Sequence, residues 1–95
     1  MPAYIVITKE RTRNRSELDL YAKEHASFIA GHALTYRARF GKHEVFEGAP
    51  TEGIAILEFP TSEAARAWYT SPAYQEASKH RFQGGDYRFI LVEGV

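Results

Sequence analysis

The hydrophobic period of the chain changes along its length, and each change marks an element. Ala3 to Lys9 is a run of β-branched and aromatic residues, which predicts a strand. Alternation sets Ile5 and Ile7 on one face and Tyr4 and Val6 on the other, so both faces are apolar. A strand with one wet face would alternate apolar with polar, so both faces of this one are expected to be covered. Glu10 to Arg15 reads as a polar loop, either a solvated connection or an anion-binding rim beside the next helix. Ser16, with Asp19 three residues on, forms a capping box that opens a helix. Leu18, Tyr21, Ala22, His25, Phe28, Ile29 and His32 then follow at spacings of three and four, one apolar stripe over about four turns. Gly31 gives the chain a place to leave that helix.

The period then drops to two. Leu34, Tyr36, Ala38 and Phe40 fall on one face of a strand, and Thr35, Arg37 and Arg39 on the other. Gly41-Lys42 suggests a bulge, after which His43 to Phe46 resumes a strand, and Glu47 to Glu52 is a turn made by glycine and proline. Gly53 to Phe59 is apolar apart from Glu58, as a central strand should be, and Pro60 ends it for want of an amide proton. Thr61 or Ser62 caps a helix whose alanines allow close approach to the sheet around one anchor, Trp68. Ser71-Pro72 starts a further helix to Phe82, ended by Gly84-Gly85, and Asp86 to Glu93 is the last strand.

Strand, helix, strand, strand, helix with an extension, strand is the ferredoxin-like βαββαβ order of an α+β fold, with two helices covering one face of a four-stranded antiparallel sheet. The 95 residues are expected to form this one domain, 1–95. Strands one, three and four are apolar on both faces, and the chain has no third layer to cover the second. Soluble monomers rarely expose so large an apolar surface, which predicts a homodimer with the sheets face to face.

Composition narrows the function classes. Hydrophobic residues make up 44%, too many for a disordered chain. Twelve Lys and Arg balance twelve Asp and Glu, so there is no basic surplus to hold a nucleic-acid backbone. The absence of cysteine favours a reducing, cytoplasmic setting and excludes a thiol nucleophile or thiolate metal site. The apolar run at the N-terminus precedes its basic residues, the reverse of a signal peptide, and is too short to span a bilayer; no membrane role is expected.

ILEFP at Ile56–Pro60, EAARAWYTSPAY at Glu63–Tyr74, FEG at Phe46–Gly48 and LVEG at Leu91–Gly94 carry a resemblance that runs over essentially the whole chain. The sequence resembles the domain of unknown function 1330 family, within the dimeric α+β barrel superfamily. That resemblance implies the fold and a dimer, and no catalytic residue set. In that family the second strand usually carries a glycine pair, an apolar stretch and an arginine before two glycines. Arg39 and Gly41 fit the arginine and the second glycine, Ala33-Leu34 stands where the glycine pair is expected, and Phe40 replaces the first of the later glycines.

Arg37, Arg39 and Thr35 are the candidate binding residues. On a face turned to a partner sheet, two guanidinium groups would suit a carboxylate, phenolate or enolate; on an edge they would be solvated or paired with Glu44 or Glu58. His25 and His43 are the candidate proton carriers. His25 and His32 stand about 10 Å apart along a helix axis, too far to share one metal, and no HxxH or HxxxH pair occurs, so no metal site is expected. Trp68, Tyr69 and Tyr74 read as core anchors, while Tyr4, Tyr21, Tyr36 and Tyr87 could each offer a phenol to a pocket. No GxGxxG, phosphate-binding loop or GxSxG motif is present, and no cofactor is expected. The reading is a small homodimeric protein with a partly polar cavity for a small acidic organic molecule. The alternatives are a cofactor-independent oxygenase or isomerase acting on a small aromatic or enolisable acid, with an arginine stabilising the anion and a histidine moving the proton, and a non-catalytic structural or interaction module.

Overall fold

The computed structural model describes residues 1–95. The elements run β1 (Ala3–Thr12), α1 (Arg15–Lys23), α2 (His25–Ile29), β2 (Thr35–Arg39), β3 (Gly53–Phe59), α3 (Ser62–Tyr69), α4 (Pro72–Gly84) and β4 (Gly85–Glu93). The four strands form one antiparallel sheet in the order β2-β3-β1-β4. This is the ferredoxin-like arrangement that the element order predicts.

Local chemistry sets most boundaries. The Thr61 hydroxyl accepts from the Ala64 amide at 3.1 Å and the Ser71 hydroxyl from the Tyr74 amide at 3.3 Å, each satisfying an otherwise unpaired first-turn donor. Three boundaries differ from the sequence reading. Asn14, not Ser16, caps α1, through a 3.4 Å bond from the Glu17 amide. The single amphipathic helix is two, broken at Glu24 (φ −89°, ψ 0°), before the chain leaves α2 through Gly31 in the left-handed region at φ 79°. Residues 41–52 form no strand, so His43 to Phe46 lies in an exposed loop.

The Glu10–Arg15 loop also departs from expectation. β1 runs through it to Thr12, and two of its three arginines, Arg11 and Arg13, are engaged. Arg13 Nε donates to Asp86 at 2.9 Å and its Nη2 donates to the carbonyls of Phe82 and Gly85, while Arg11 lies 3.3 Å from the same Asp86 carboxylate. That pairing ties the end of β1 to the α4–β4 junction and commits Arg11 and Arg13 to Asp86.

The helices all pack on one face of the sheet. Ile5 and Ile7 of β1 and Ala55, Leu57 and Phe59 of β3 meet Phe28, Ala65, Trp68, Tyr74 and Ala77 in one core. The opposite face carries no helix. One row across it reads Ala38, Ile56, Val6, Ile90, aligned by the strand register. Ile90 and Val92 are 42% and 48% exposed, so the middle of this face is apolar and open in the single chain.

Candidate functional site

The register of β2 rearranges the predicted site. Thr35 pairs with Glu58 and Tyr36 with Leu57, but Ala38 pairs with Ile56 and Arg39 with Ala55. A bulge at Arg37 therefore inserts one residue, and everything after it changes face. Arg37 and Arg39 do not share a face. Arg37 lies exposed and donates to Glu58 at 2.7 Å on the open side, beside Thr35; the pairing with Glu58 raises its pKa. Arg39 turns to the helix side.

There it meets a cavity of about 270 Å³ between the sheet and the α1–α2 segment. Leu18, Tyr21, Ala22, His25 and Phe28 form its roof; Ile7, Lys9, Ala55, Leu57, Tyr87 and Phe89 form its floor. Tyr36, Arg39 and Phe40 line it from β2 and the residue that follows, and Trp68 from α3. Twelve of the fifteen lining residues are hydrophobic, and the other three are Lys9, His25 and Arg39. No acidic side chain lines it. The sequence reading placed a cavity between two sheets of a dimer; this one lies inside the protomer, and the bulge brings Arg39 to it.

His25 is the expected histidine that reaches the cavity. Its Nε2 lies 2.8 Å from the Tyr36 hydroxyl, and its ring stacks on Tyr36 at 5.7 Å between centroids. Burial, and then the Arg39 charge, push the His25 pKa below its ordinary 6.5, so the imidazole is neutral at neutral pH. Arg39 holds its guanidinium carbon 4.6 Å above the Tyr36 ring. Tyr36 stays a neutral phenol, because burial raises its pKa by more than Arg39 lowers it. A neutral base, a phenol and a cation thus meet at one edge of the cavity. His43 takes no part. Its Nε2 is 3.0 Å from the Thr51 carbonyl in the exposed loop, its Nδ1 3.4 Å from the Gly41 carbonyl. No three His, Asp or Glu side chains come together as a metal site would require.

Sequence reasoning missed Lys9 and Phe40. Lys9 ends the apolar run of β1 and lies 3.7 Å from Glu52, whose carboxylate is held below its usual range chiefly by the Thr12 hydroxyl and amide. Phe40 is the more telling residue. It has φ 53°, the left-handed region that a non-glycine residue seldom adopts. Its ring lies against Gly53, where a Cβ would sit only 2.7 Å from it. The one phenylalanine at a position suited to glycine is therefore a wall of the cavity. Of the four tyrosines left unranked, Tyr21, Tyr36 and Tyr87 line the cavity, while Tyr4 pairs with Glu58 and Val92 on the open face.

Residues 2–95 match the model of a domain of unknown function, DUF1330. The chain belongs to the DUF1330 family. No curated protein matches it. Among solved structures it is similar to a protein of unknown function from Rhodopseudomonas palustris, with 19% identity, TM-score 0.75, and 99% of this chain and 82% of that one covered. It is also similar to a dimeric ferredoxin-like protein of unknown function from Jannaschia (16%, TM-score 0.68, covering 99% and 100%). A third similar structure is SnoaB, a cofactor-independent oxygenase from Streptomyces nogalater (12%, TM-score 0.58, covering 98% and 91%). At these identities the likeness shows the fold. For this DUF1330 chain, the Phe40 substitution noted in the sequence falls at the left-handed position itself, so the pocket edge keeps a conformation suited to glycine and fills it with a ring.

The depressed His25 pKa has a sign that can be checked. As pH falls, the unfolded chain takes the proton first, near pH 6.5, and the folded chain later. The stabilising contribution of neutral His25 is complete above about pH 6.5 and is lost as pH falls through the lower folded value. Urea unfolding of wild type between pH 8 and 5 should therefore show a steeper loss of stability than His25→Gln. Parallel curves would refute the assignment. The Glu52 contribution falls at lower pH, below its ordinary 4.5, and does not overlap this window.

Proposed function

We propose that this protein binds a small, single-ring organic acid in the cavity beneath α1 and α2. The carrying observation is the lining: an aromatic and aliphatic wall whose only ionisable groups other than phenols are the basic Lys9, His25 and Arg39. Apolar walls with a few placed polar groups are the usual make-up of ligand sites, and a volume of about 270 Å³ suits a ligand of one ring. In this reading the carboxylate sits at the mouth with Arg39 and Lys9, and the ring lies on Phe28, Phe40 and Phe89.

A second reading is cofactor-independent catalysis on an enolisable or aromatic acid. The hydrogen-bonded, neutral His25 beside Tyr36 favours it: the imidazole is free to accept a proton while Arg39 faces the resulting anion. The similar SnoaB is itself a cofactor-independent oxygenase.

The open apolar face, and the similar Jannaschia protein described as dimeric, support a homodimer formed through that face. Such pairing leaves the cavity on the outer, helical side of each protomer.

Thermal-shift titration with benzoate and salicylate against neutral benzamide tests the binding reading. Both acids should stabilise wild type, and Arg39→Ala should weaken their binding about tenfold or more, as loss of a charge-assisted hydrogen bond does. Arg37→Ala, on the other face, should leave binding unchanged. Equal stabilisation of wild type and Arg39→Ala would overturn the site. Consumption of an enolisable acid, lost in His25→Gln, would move the reading from binding to catalysis.

A further inference from the structure

Arg81 is a buried arginine without an acid. It is 4% exposed, and no carboxylate lies within ion-pair distance of it. Its guanidinium faces the rings of Phe89, Phe82 and Tyr87 at 4.1, 4.6 and 5.4 Å. Its Nε donates to the Tyr74 hydroxyl at 3.2 Å, and Tyr74 in turn lies 2.7 Å from the Tyr21 hydroxyl. A buried cation needs strong reasons to be retained in a small core.

The direction of this chain of hydrogen bonds follows from donor and acceptor counting. A guanidinium has donors only, so the Tyr74 oxygen accepts from Arg81. Tyr74 is fully buried, and its hydroxyl has two partners, Arg81 and Tyr21. Were it to accept from Tyr21 as well, its own proton would be stranded unpaired in the core. Tyr74 therefore donates to Tyr21. The Tyr21 proton then has no protein acceptor, and Tyr21 lines the cavity. Its ring stacks on the buried Phe28, another residue of the cavity wall, at 5.3 Å between centroids.

We propose that the Tyr21 hydroxyl is the donor that binds a second oxygen of the ligand, with Arg81 and Tyr74 acting as positioning residues that fix its direction and polarise it. This rests on the cavity being a ligand site and names the class of ligand: an aromatic acid that carries a carbonyl or oxyanion besides its carboxylate. Burial raises the pKa of both tyrosines, so Tyr21 stays protonated and able to donate. The charge of Arg81, relayed through Tyr74, strengthens that donor most when negative charge develops on the ligand oxygen.

Two isosteric probes test this, 4-acetylbenzoate and 4-isopropenylbenzoate, which differ in the carbonyl oxygen. Calorimetric titration should show wild type binding the acetyl compound about tenfold more tightly, the worth of one buried hydrogen bond. The infrared carbonyl stretch of the bound ketone should move to lower wavenumber. Tyr21→Phe should bring the affinity ratio to about one and remove the infrared shift while retaining the isopropenyl compound. Tyr74→Phe, which cuts the link to Arg81, should reduce the shift. The wild-type comparison needs no variant, so a misfolded mutant leaves the test intact. Equal binding of both probes with no infrared shift would overturn the donor role and leave the cavity reading standing. Binding of neither would overturn the cavity reading and this inference with it.

Discussion

Trp68→Ala should lower the unfolding free energy by about 3–5 kcal/mol, the usual cost of truncating a buried tryptophan. Trp68 is 1% exposed and closes the core where α2, α3 and α4 meet. Its ring lies 4.2 Å from Tyr74, 5.7 Å from Phe59 and 6.2 Å from Phe28 between centroids. Its indole nitrogen also donates to the Phe28 carbonyl at 2.9 Å, so truncation strands a buried acceptor at the end of α2 as well as leaving a void. A domain of this size has about 5–15 kcal/mol in total, so the variant should lose at least a fifth of its stability and its Tm should fall by about 12 °C or more. The melt has to be followed by circular dichroism, since Trp68 is the one tryptophan of the chain. A loss below about 1 kcal/mol would mean that the aromatic cluster repacks and that Trp68 is not the anchor. Because Trp68 also lines the cavity, the same variant should enlarge it.

The parts of the fold written in local chemistry were legible from sequence. Pro60 with Thr61, and Ser71 with Pro72, act within a few residues of themselves, and the β3–α3–α4 boundaries fall where they predict. What the sequence hid were events that leave the hydrophobic period intact. The break at Glu24 does not interrupt the stripe from Leu18 to His32, so one helix and two read alike. The bulge at Arg37 lies inside a regular alternation of Leu34, Tyr36, Ala38 and Phe40. Only the pairing with β3 reveals the inserted residue, and pairing is a tertiary property. That slip decides the site: it separates Arg39 from Arg37, brings Arg39 to Tyr36 and His25, and moves the candidate chemistry from the open face to the helical one. His25 was legible as a candidate because it sat on the apolar stripe. His43 was not separable from it without knowing that residues 41–52 form a loop rather than a strand. The signal for Phe40 was present as a departure from the family pattern, and its meaning came from a backbone angle.

Ile56→Asp should convert the proposed dimer to a monomer without unfolding the chain. Ile56 sits near the middle of the open face, between Val6 on β1 and Ala38 on β2. In the isolated protomer this side is free of helices, so a carboxylate there can hydrate and the helical core is untouched. In a face-to-face pair, each copy would bring one carboxylate out of water, and a twofold axis would bring two like charges toward each other. Burying an unpaired charge costs several kcal/mol per ion, so two copies should weaken association by about four powers of ten or more. Sedimentation equilibrium at micromolar concentration should give wild type at twice the chain mass of 10.8 kDa and the variant at that mass. Unchanged circular dichroism would separate loss of pairing from loss of fold. The cavity lies on the opposite face of the sheet, so a benzoate complex should survive in the monomer. If wild type is itself monomeric, the open face has another role and the pairing is wrong. If instead the monomeric variant folds but no longer binds the acid, the cavity depends on the second copy, and the site belongs to the dimer rather than to the single chain.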